Sequence, residues 1–316
     1  FSDIKVSNLE KKYFEVQDEI NSLLITSKVS RFQKNAIGKK FTVKSNISKK
    51  KFFQIVNKAK QYIKKGDIFQ VVLSQRFETK LTKKPIEIYK KLRVTNPSPF
   101  MFFFNFNDFQ IIGASPEILV RLRNNVITVR PIAGTRPRGK NNKEDNILKK
   151  DLINDKKELS EHLMLLDLGR NDAGKVSKIN TIKVTEKFKI EKYSHVMHIV
   201  SNVTGIYDKK FSKFEALMAG FPAGTVSGAP KIRAMEIIDE LEKNSRKIYA
   251  GGIGYFSANG DFDTCIALRT AITKNNKFYV QAGAGIVADS KPINEYNETI
   301  NKAKALIKSL EKWKYF

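Results

Sequence analysis

Within residues 49–65 the apolar positions Phe52, Ile55, Val56, Ala59 and Ile63 recur at helical spacing, and the run stops at Gly66. That spacing predicts an amphipathic helix with a glycine stop signal. The period then changes. Residues 68–77, 100–106, 110–114 and 118–123 read as strands, the last pairing with 126–129 across Asn124-Asn125, a hairpin signal. A charged segment, 139–157, leads into a helix over about 156–167. Strands at 181–190 and 197–206 follow, then helices near 211–219 and 230–243. Residues 250–257 and 264–273 flank Asn259-Gly260, 278–284 follows a turn at Asn275-Asn276, and a final helix covers 294–312. Hairpins outnumber strand–helix–strand units, which predicts an α+β fold with large antiparallel sheets flanked by helices.

Residues 1–45 form a polar, partly helical lead-in with little to bury, and 46–316 read as one intertwined domain. The chain opens on Phe1 rather than Met, as a piece of a longer protein would. The 316 residues, 41% hydrophobic, suffice for a large core. No run approaches the roughly 18 apolar residues of a membrane span, and no signal peptide is visible. Cys265 is the single cysteine, which excludes internal disulfides and cysteine-based metal clusters and fits a reducing, cytoplasmic compartment. The formal charge of +26 invites a nucleic-acid partner. Only 12 of the 58 basic residues are Arg, however, and Lys is scattered through nearly every segment without a recognition motif. The charge reads as solvated surface, and no nucleic acid is expected.

Three patterns carry candidate chemistry. Ala223-Gly-Thr-Val-Ser-Gly-Ala-Pro-Lys231 feeds a helix, with Pro230 at a first-turn position where its missing N–H costs nothing. The unpaired N–H groups of such a turn suit a carboxylate or phosphate. Glu158 and Glu161 share one helix face, and Glu295, Glu298 and Lys302 share another. Two such carboxylate pairs could hold a hard cation such as Mg²⁺, although each alone also fits a solvated face. His195 and His198 sit three apart in a strand-like run, on opposite faces, so they do not share a metal, and one could act as acid or base. Gly283-Ala-Gly285 superficially matches a dinucleotide fingerprint, but Pro292 follows and no βαβ unit surrounds it, so a nicotinamide site is rejected. Those glycines suit close approach of backbone to a small ligand.

Taken in order, many stretches resemble the chorismate-using enzymes, and component I of anthranilate synthase in particular. They are Gly66-Asp-Ile-Phe-Gln70, Asn96-Pro-Ser-Pro99, Ser115-Pro-Glu117, Pro131-Ile-Ala-Gly-Thr-Arg136, Glu158-Leu-Ser-Glu-His162 and Asp167-Leu-Gly-Arg-Asn-Asp172. After these come His195 to His198, the loop at 223–231, Tyr249-Ala-Gly-Gly-Ile-Gly-Tyr255, Ala267-Leu-Arg-Thr270 and residues 281–302. The resemblance implies two packed sheets with helices outside and a cleft for chorismate and Mg²⁺. It places Glu161 and Glu298 on metal-ligand positions, with Glu158 and Glu295 behind them. Gly134, Thr135, Tyr249, Arg269, Gly283, Ala284, Gly285 and Lys302 fall on substrate-binding positions. Glu117 is the implied acid for the departing 4-hydroxyl, His198 the implied base, and Thr225 a substrate holder.

Relatives that make aminodeoxychorismate carry a nucleophilic Lys where this chain has Ala133. Relatives that make isochorismate or salicylate carry a water-activating Lys where it has Gln70. The resemblance therefore implies ammonia as nucleophile and anthranilate as product. Pro99, Phe100 and Met101 match part of a tryptophan feedback site whose Leu-Leu-Glu-Ser motif does not occur here. No glutaminase machinery is evident, so the resemblance also implies a hetero-oligomer with a glutamine amidotransferase subunit, component II.

Overall fold

In the computed structural model, described for residues 8–27, 42–193 and 196–310, the hairpin rhythm closes into two antiparallel sheets. The chain divides into two units, residues 1–39 and 40–316. The first contains helix α1 (Leu9–Ser27). Both sheets belong to the second.

One sheet runs β1 (Lys44–Ser45), β2 (Gln70–Lys80), β14 (Lys277–Ile286), β13 (Thr270–Lys274), β4 (Phe109–Ser115) and β3 (Phe100–Asn105), with β10 (Gly228–Ala229) also on β2. The other runs β11 (Gly252–Phe256), β12 (Phe262–Ile266), β5 (Ile118–Arg123), β6 (Val126–Val129), β9 (Val196–Ile206) and β7 (Ile132–Pro137), with β8 (Lys183–Lys192) on β9. The hairpin turns carry asparagine in left-handed conformations: Asn124 and Asn125 have φ of 48° and 60°, Asn275 and Asn276 of 49° and 57°. Asparagine adopts this region at little cost, and the pair matches the twist of the strands it joins.

The stretch expected as one strand over 264–273 is two. It leaves the second sheet after Ile266 and enters the first at Thr270, turning through Arg269 at φ 46°. The chain makes the reverse crossing between Ser115 and Ile118. The two passes lie side by side. Ser115 Oγ donates to Ile266 O at 2.6 Å, Ile266 N to Glu117 O at 3.0 Å, and Ala114 N to Arg269 O at 3.2 Å.

Helices cover the outer faces. α2 (Lys49–Lys64), capped by Ser48, and α8 (Lys231–Leu241) bury Phe52, Ile55, Ile237 and Ile238 against Val71, Leu73 and Ile286. α3 (Pro85–Thr95) and α9 (Pro292–Ser309) pack Leu92 and Leu306 on Phe77, Ile112 and Val280. Over the second sheet lie α4 (Asn142–Asn154), α5 (Lys156–Gly174) and α6 (Lys213–Gly220), with the single turn α7 (Gly224–Ser227) beside them. Fully burying one leucine is worth about 1.5–3 kcal/mol, against roughly 0–1 kcal/mol for an exposed ion pair. The lysine-rich surface therefore follows this core and does not shape it. Among the described residues, no helix is long and apolar enough to cross a membrane.

Candidate active site

The two crossings set the site. Glu117 is 6% exposed, and burial pushes its carboxyl up to about 8. The Thr225 hydroxyl, the Ile132 backbone, Lys302 and Arg269 pull the other way without overcoming burial. Thr225 Oγ1 is buried and lies close enough to favour the carboxylate, yet it completes no hydrogen bond. Arg269, presented by the second crossing, has its pKa lowered by burial, with Glu117 and Tyr193 opposing. Among the described residues no carboxylate lies within ion-pair distance of its guanidinium. A neutral acid and an unpaired guanidinium thus act on one another from adjacent crossings. That arrangement can bind a carboxylate by a planar fork and deliver a proton beside it.

His198 forms a second wall, on β9. The pairing of β7 with β9 slips between Ala133 and Thr135, leaving Gly134 as an extra residue at φ 68°. A Cβ there would sit 3.0 Å from Leu152 and 3.2 Å from Glu158 Oε2, so both backbone angle and space call for glycine. The bulge aims the Gly134 carbonyl at His198 Nδ1, 2.9 Å away, with Thr135 Oγ1 at 3.1 Å. A carbonyl only accepts, so Nδ1 carries the proton and Nε2 keeps a lone pair. Burial lowers the His198 pKa, and Arg269 and Lys302 add to the effect. The neutral ring is therefore ready as a base at neutral pH.

The third wall is α9 against β14. Lys302 donates to Gly283 O at 3.0 Å and pairs with Glu298 at 2.7 Å. Burial works against its charge, but Glu298, Tyr249 and Glu161 outweigh it and raise its pKa. Protein surrounds the lysine, yet half of its side chain meets solvent, as on the wall of an open cleft. Glu161 accepts from Gln70 Nε2 at 2.8 Å, while Gln70 Oε1 is buried without a partner. Glu158 and Glu295 are raised by burial, each helped by its neighbour, Glu161 or Glu298. Among the described residues, no three His, Cys, Asp or Glu side chains form a ready-made metal cluster. The Lys302 ammonium pairs with Glu298 at 2.7 Å and also feels the charge of Glu161.

A family model described as chorismate binding enzyme matches residues 6–308. The chain belongs to that family. It is 61% identical over 269 residues to anthranilate synthase component 1 of Cereibacter sphaeroides, covering 85% of this chain and 54% of that one. With anthranilate synthase component 1 of Acetivibrio thermocellus it shares 52% identity over 312 residues, 96% of this chain and 63% of the relative. The chain thus spans little more than half the length of such relatives. The crystal structure of anthranilate synthase component I from Streptococcus pneumoniae TIGR4 superposes with a TM-score of 0.85 at 46% identity, over 96% of this chain and 67% of that one. Isochorismate synthase MenF from Escherichia coli shares the fold, with a TM-score of 0.79 at 22% identity over 93% of this chain and 69% of that one.

Within this chorismate-binding fold the expected residues separate. Glu117, Thr225, His198, Arg269, Lys302 and Tyr249 are electrically or sterically in contact across the three walls. Gly283 and Gly285 face the cleft, but protein fills the space beside them. A Cβ would stand 2.8 Å from the Tyr249 hydroxyl at Gly283 and 2.4 Å from the Gln70 amide at Gly285. Ala284 is fully buried on the opposite face of β14, so only its backbone can reach the cleft. Pro99 precedes β3 and Phe100 and Met101 begin it, in the other sheet from His198. Phe100 packs on the cluster holding Cys265, Met101 on the α3–α9 core. His195 lies outside the described residues.

In the loop at 223–231 part of the backbone N–H set is already paired. Val226 and Ser227 spend theirs on the Ala223 carbonyl, Pro230 caps α8 instead of entering it, and the loop offers the Thr225 hydroxyl. Sequence reading also passed over two supports. Arg136, following Thr135, gathers Asp151 at 2.6 Å, Asp155 at 2.7 Å and Glu158 at 3.3 Å. Lys231 pairs with buried Asp172 at 2.6 Å and ties the Thr225 loop to α5. Both lie inside quoted motifs, but pairing between distant segments leaves no periodic signal.

Proposed function

We propose that this chain is the chorismate-converting subunit of an anthranilate synthase, in the first committed step of tryptophan biosynthesis. Chorismate and ammonia give anthranilate, pyruvate and water. The observation that carries the reading is the neutral, buried Glu117 set beside the unpaired Arg269 on adjacent crossings. Identity of 61% to a protein named anthranilate synthase component 1 supports it.

Chorismate carries two carboxylates. Arg269 takes one by its planar fork, and the backbone of Gly283 to Gly285, Tyr249 and Lys302 line the same cleft. Glu117 protonates the departing 4-hydroxyl, which leaves as water while ammonia forms the new C–N bond. Thr225, with its hydroxyl unspent, holds substrate beside that acid. His198 Nε2 then removes the ring proton, the enolpyruvyl C–O bond breaks, and the ring becomes aromatic as pyruvate departs. Ala133 and Gln70 leave the chain without the lysines of its aminodeoxychorismate- and isochorismate-forming relatives.

Glu161 and Glu298 fit a hard cation, because both already act on one ammonium and both offer only oxygen. They would hold Mg²⁺, with Glu158 and Glu295 behind them. Bound there, the ion would supply a positive charge to orient the substrate and offset its ring carboxylate. Ammonia comes from a glutamine amidotransferase subunit, component II. Cys265 is 1% exposed and burial pushes its thiol up to about 12, so Cys265 itself is no glutaminase nucleophile.

Anthranilate fluorescence in the natural full-length protein, supplied with chorismate, Mg²⁺ and ammonium, tests the reaction. Accumulation of isochorismate or aminodeoxychorismate overturns it, and turnover with glutamine in the absence of component II overturns the partner. Glu298→Ala and Glu161→Gln are each expected to abolish Mg²⁺-dependent turnover with little loss of stability. Wild-type activity in both removes the metal assignment.

A further inference from the structure

Among the described residues, the hydrogen bonds to the His198 ring are made at Nδ1, and a ring held at one nitrogen can pivot there. The aromatic ring packed against this imidazole is that of Tyr193. Its ring stands edge-on to the imidazole, with centroids 5.6 Å apart and planes at 61°. Its main chain is pinned on both sides, with N–H to Val196 O at 2.8 Å and C=O accepting from Arg138 Nη1 at 2.7 Å. Its hydroxyl donates to Glu191 Oε2 at 2.8 Å, and the other oxygen of Glu191 accepts from Arg130, which also pairs with Glu186.

We propose that Tyr193 is a positioning residue for His198: its ring, anchored through Glu191 to Arg130, fixes the direction of Nε2. The proposal rests on reading His198 as the base. A wandering ring would still be basic, but its lone pair would miss the ring proton, and misplacement by about 1 Å costs on the order of 100-fold in rate. Charged groups that act on the imidazole are Arg269 and Lys302 from the cleft and Glu191 from β8. Only Glu191 also holds the tyrosine.

The test measures imidazole ¹⁵N and ¹³C signals alongside kinetics in Tyr193→Phe, Tyr193→Ala and Glu191→Gln, with His198→Gln identifying the resonances. Tyr193→Ala is expected to move the His198 titration upward, as water reaches the ring, and to weaken the preference for the Nδ1–H tautomer. Its kcat should fall about ten- to hundred-fold with KM nearly unchanged. Tyr193→Phe keeps the ring and loses the anchor, so it should fall between wild type and Ala, and Glu191→Gln should resemble it. Reduced thermal stability with an unmoved His198 titration and tautomer in all three overturns the proposal. If wild-type protein fails to turn over chorismate, the functional reading falls, while the imidazole spectra still decide whether Tyr193 positions His198.

Discussion

Glu117 and Asp145 are both nearly sealed from solvent, at 6% and 2% exposure, and their acidities move in opposite directions. Asp145 sits under a thin loop where Arg138 grips both its oxygens at 2.7–3.1 Å, Gly139 N–H donates at 2.7 Å, and Lys192 approaches to 3.1 Å. Arg138 is the main reason its carboxyl is held far below the usual carboxylate range. Glu117 lies deep between two chain crossings with no ion pair, and burial dominates. The difference is partnership and depth, not exposure. A fold that neutralises Asp145 from three sides leaves Glu117 in its proton-carrying form, and a structural carboxylate has no reason to be left that way.

The largest effect expected from breaking this contrast is that of Glu117→Gln. An amide keeps the shape and cannot give up a proton as the acid does, so kcat should fall by about 10²–10⁴-fold while chorismate still binds. Stability should show the opposite sign. A carboxyl raised to about 8 binds its proton more tightly in the folded chain than in the unfolded one. That contribution is complete below the ordinary glutamate pKa and lost as pH rises through about 8. Denaturant midpoints below and above that value should therefore show Glu117→Gln overtaking the wild type on the alkaline side. Equal pH dependence in both proteins would contradict a neutral Glu117.

Why sequence alone exposed one of these carboxylates and not the other is a matter of range. Hairpins were legible because Asn124-Asn125 and Asn275-Asn276 carry their own left-handed preference. The sheet switch at Arg269 was not, since Ile266, Ala267 and Leu268 continue an apolar run that reads as one strand. In the sequence α4 reads as a charged segment, because few of its residues are buried and helical periodicity is faint. His198 beside Gly134 depends on strand register, and Glu117 beside Arg269 on two crossings far apart in the chain. Resemblance to a family named these residues, but only the fold supplies the bulge that orients one pair and the burial that sets the other. The Asp145 clamp drew no notice, because its arginine and aspartate sit in a segment rich in both charges.

Asp145→Asn should have the next largest effect, on stability and not on chemistry. The Arg138 fork would lose its anion, and the turn at 139–141 leading into α4 its anchor. With a folded pKa below the unfolded value, the carboxylate stabilises the protein above the ordinary aspartate pKa of about 3.9. That stabilisation drains away as pH falls through the folded value. The variant should therefore unfold earlier than wild type at neutral pH, and the gap should narrow in acid. A gap that stays constant down the acid limb would show that Asp145 acts through shape rather than charge.

The smallest effect separates redundancy from necessity in the same loop. Lys192 reaches Asp145 from β8 with 38% of its side chain exposed, where solvent screens the pair. Lys192→Met leaves the Arg138 fork and the Gly139 N–H in place, so Asp145 should stay ionised and the acid limb should keep its position. The unfolding midpoint should move less than in Asp145→Asn. Removing Lys302, which favours the charged form of Glu117 across the cleft, leaves Thr225, the Ile132 backbone and Arg269 acting in the same direction, but no ion pair to hold the carboxylate. Lys302→Met should therefore push the Glu117 carboxyl higher still, read as a shift of the pH-dependent stability difference from Glu117→Gln toward alkali. If Lys192→Met instead moved the Asp145 limb as far as Lys302→Met moves that of Glu117, partnership would not be what distinguishes the two carboxylates.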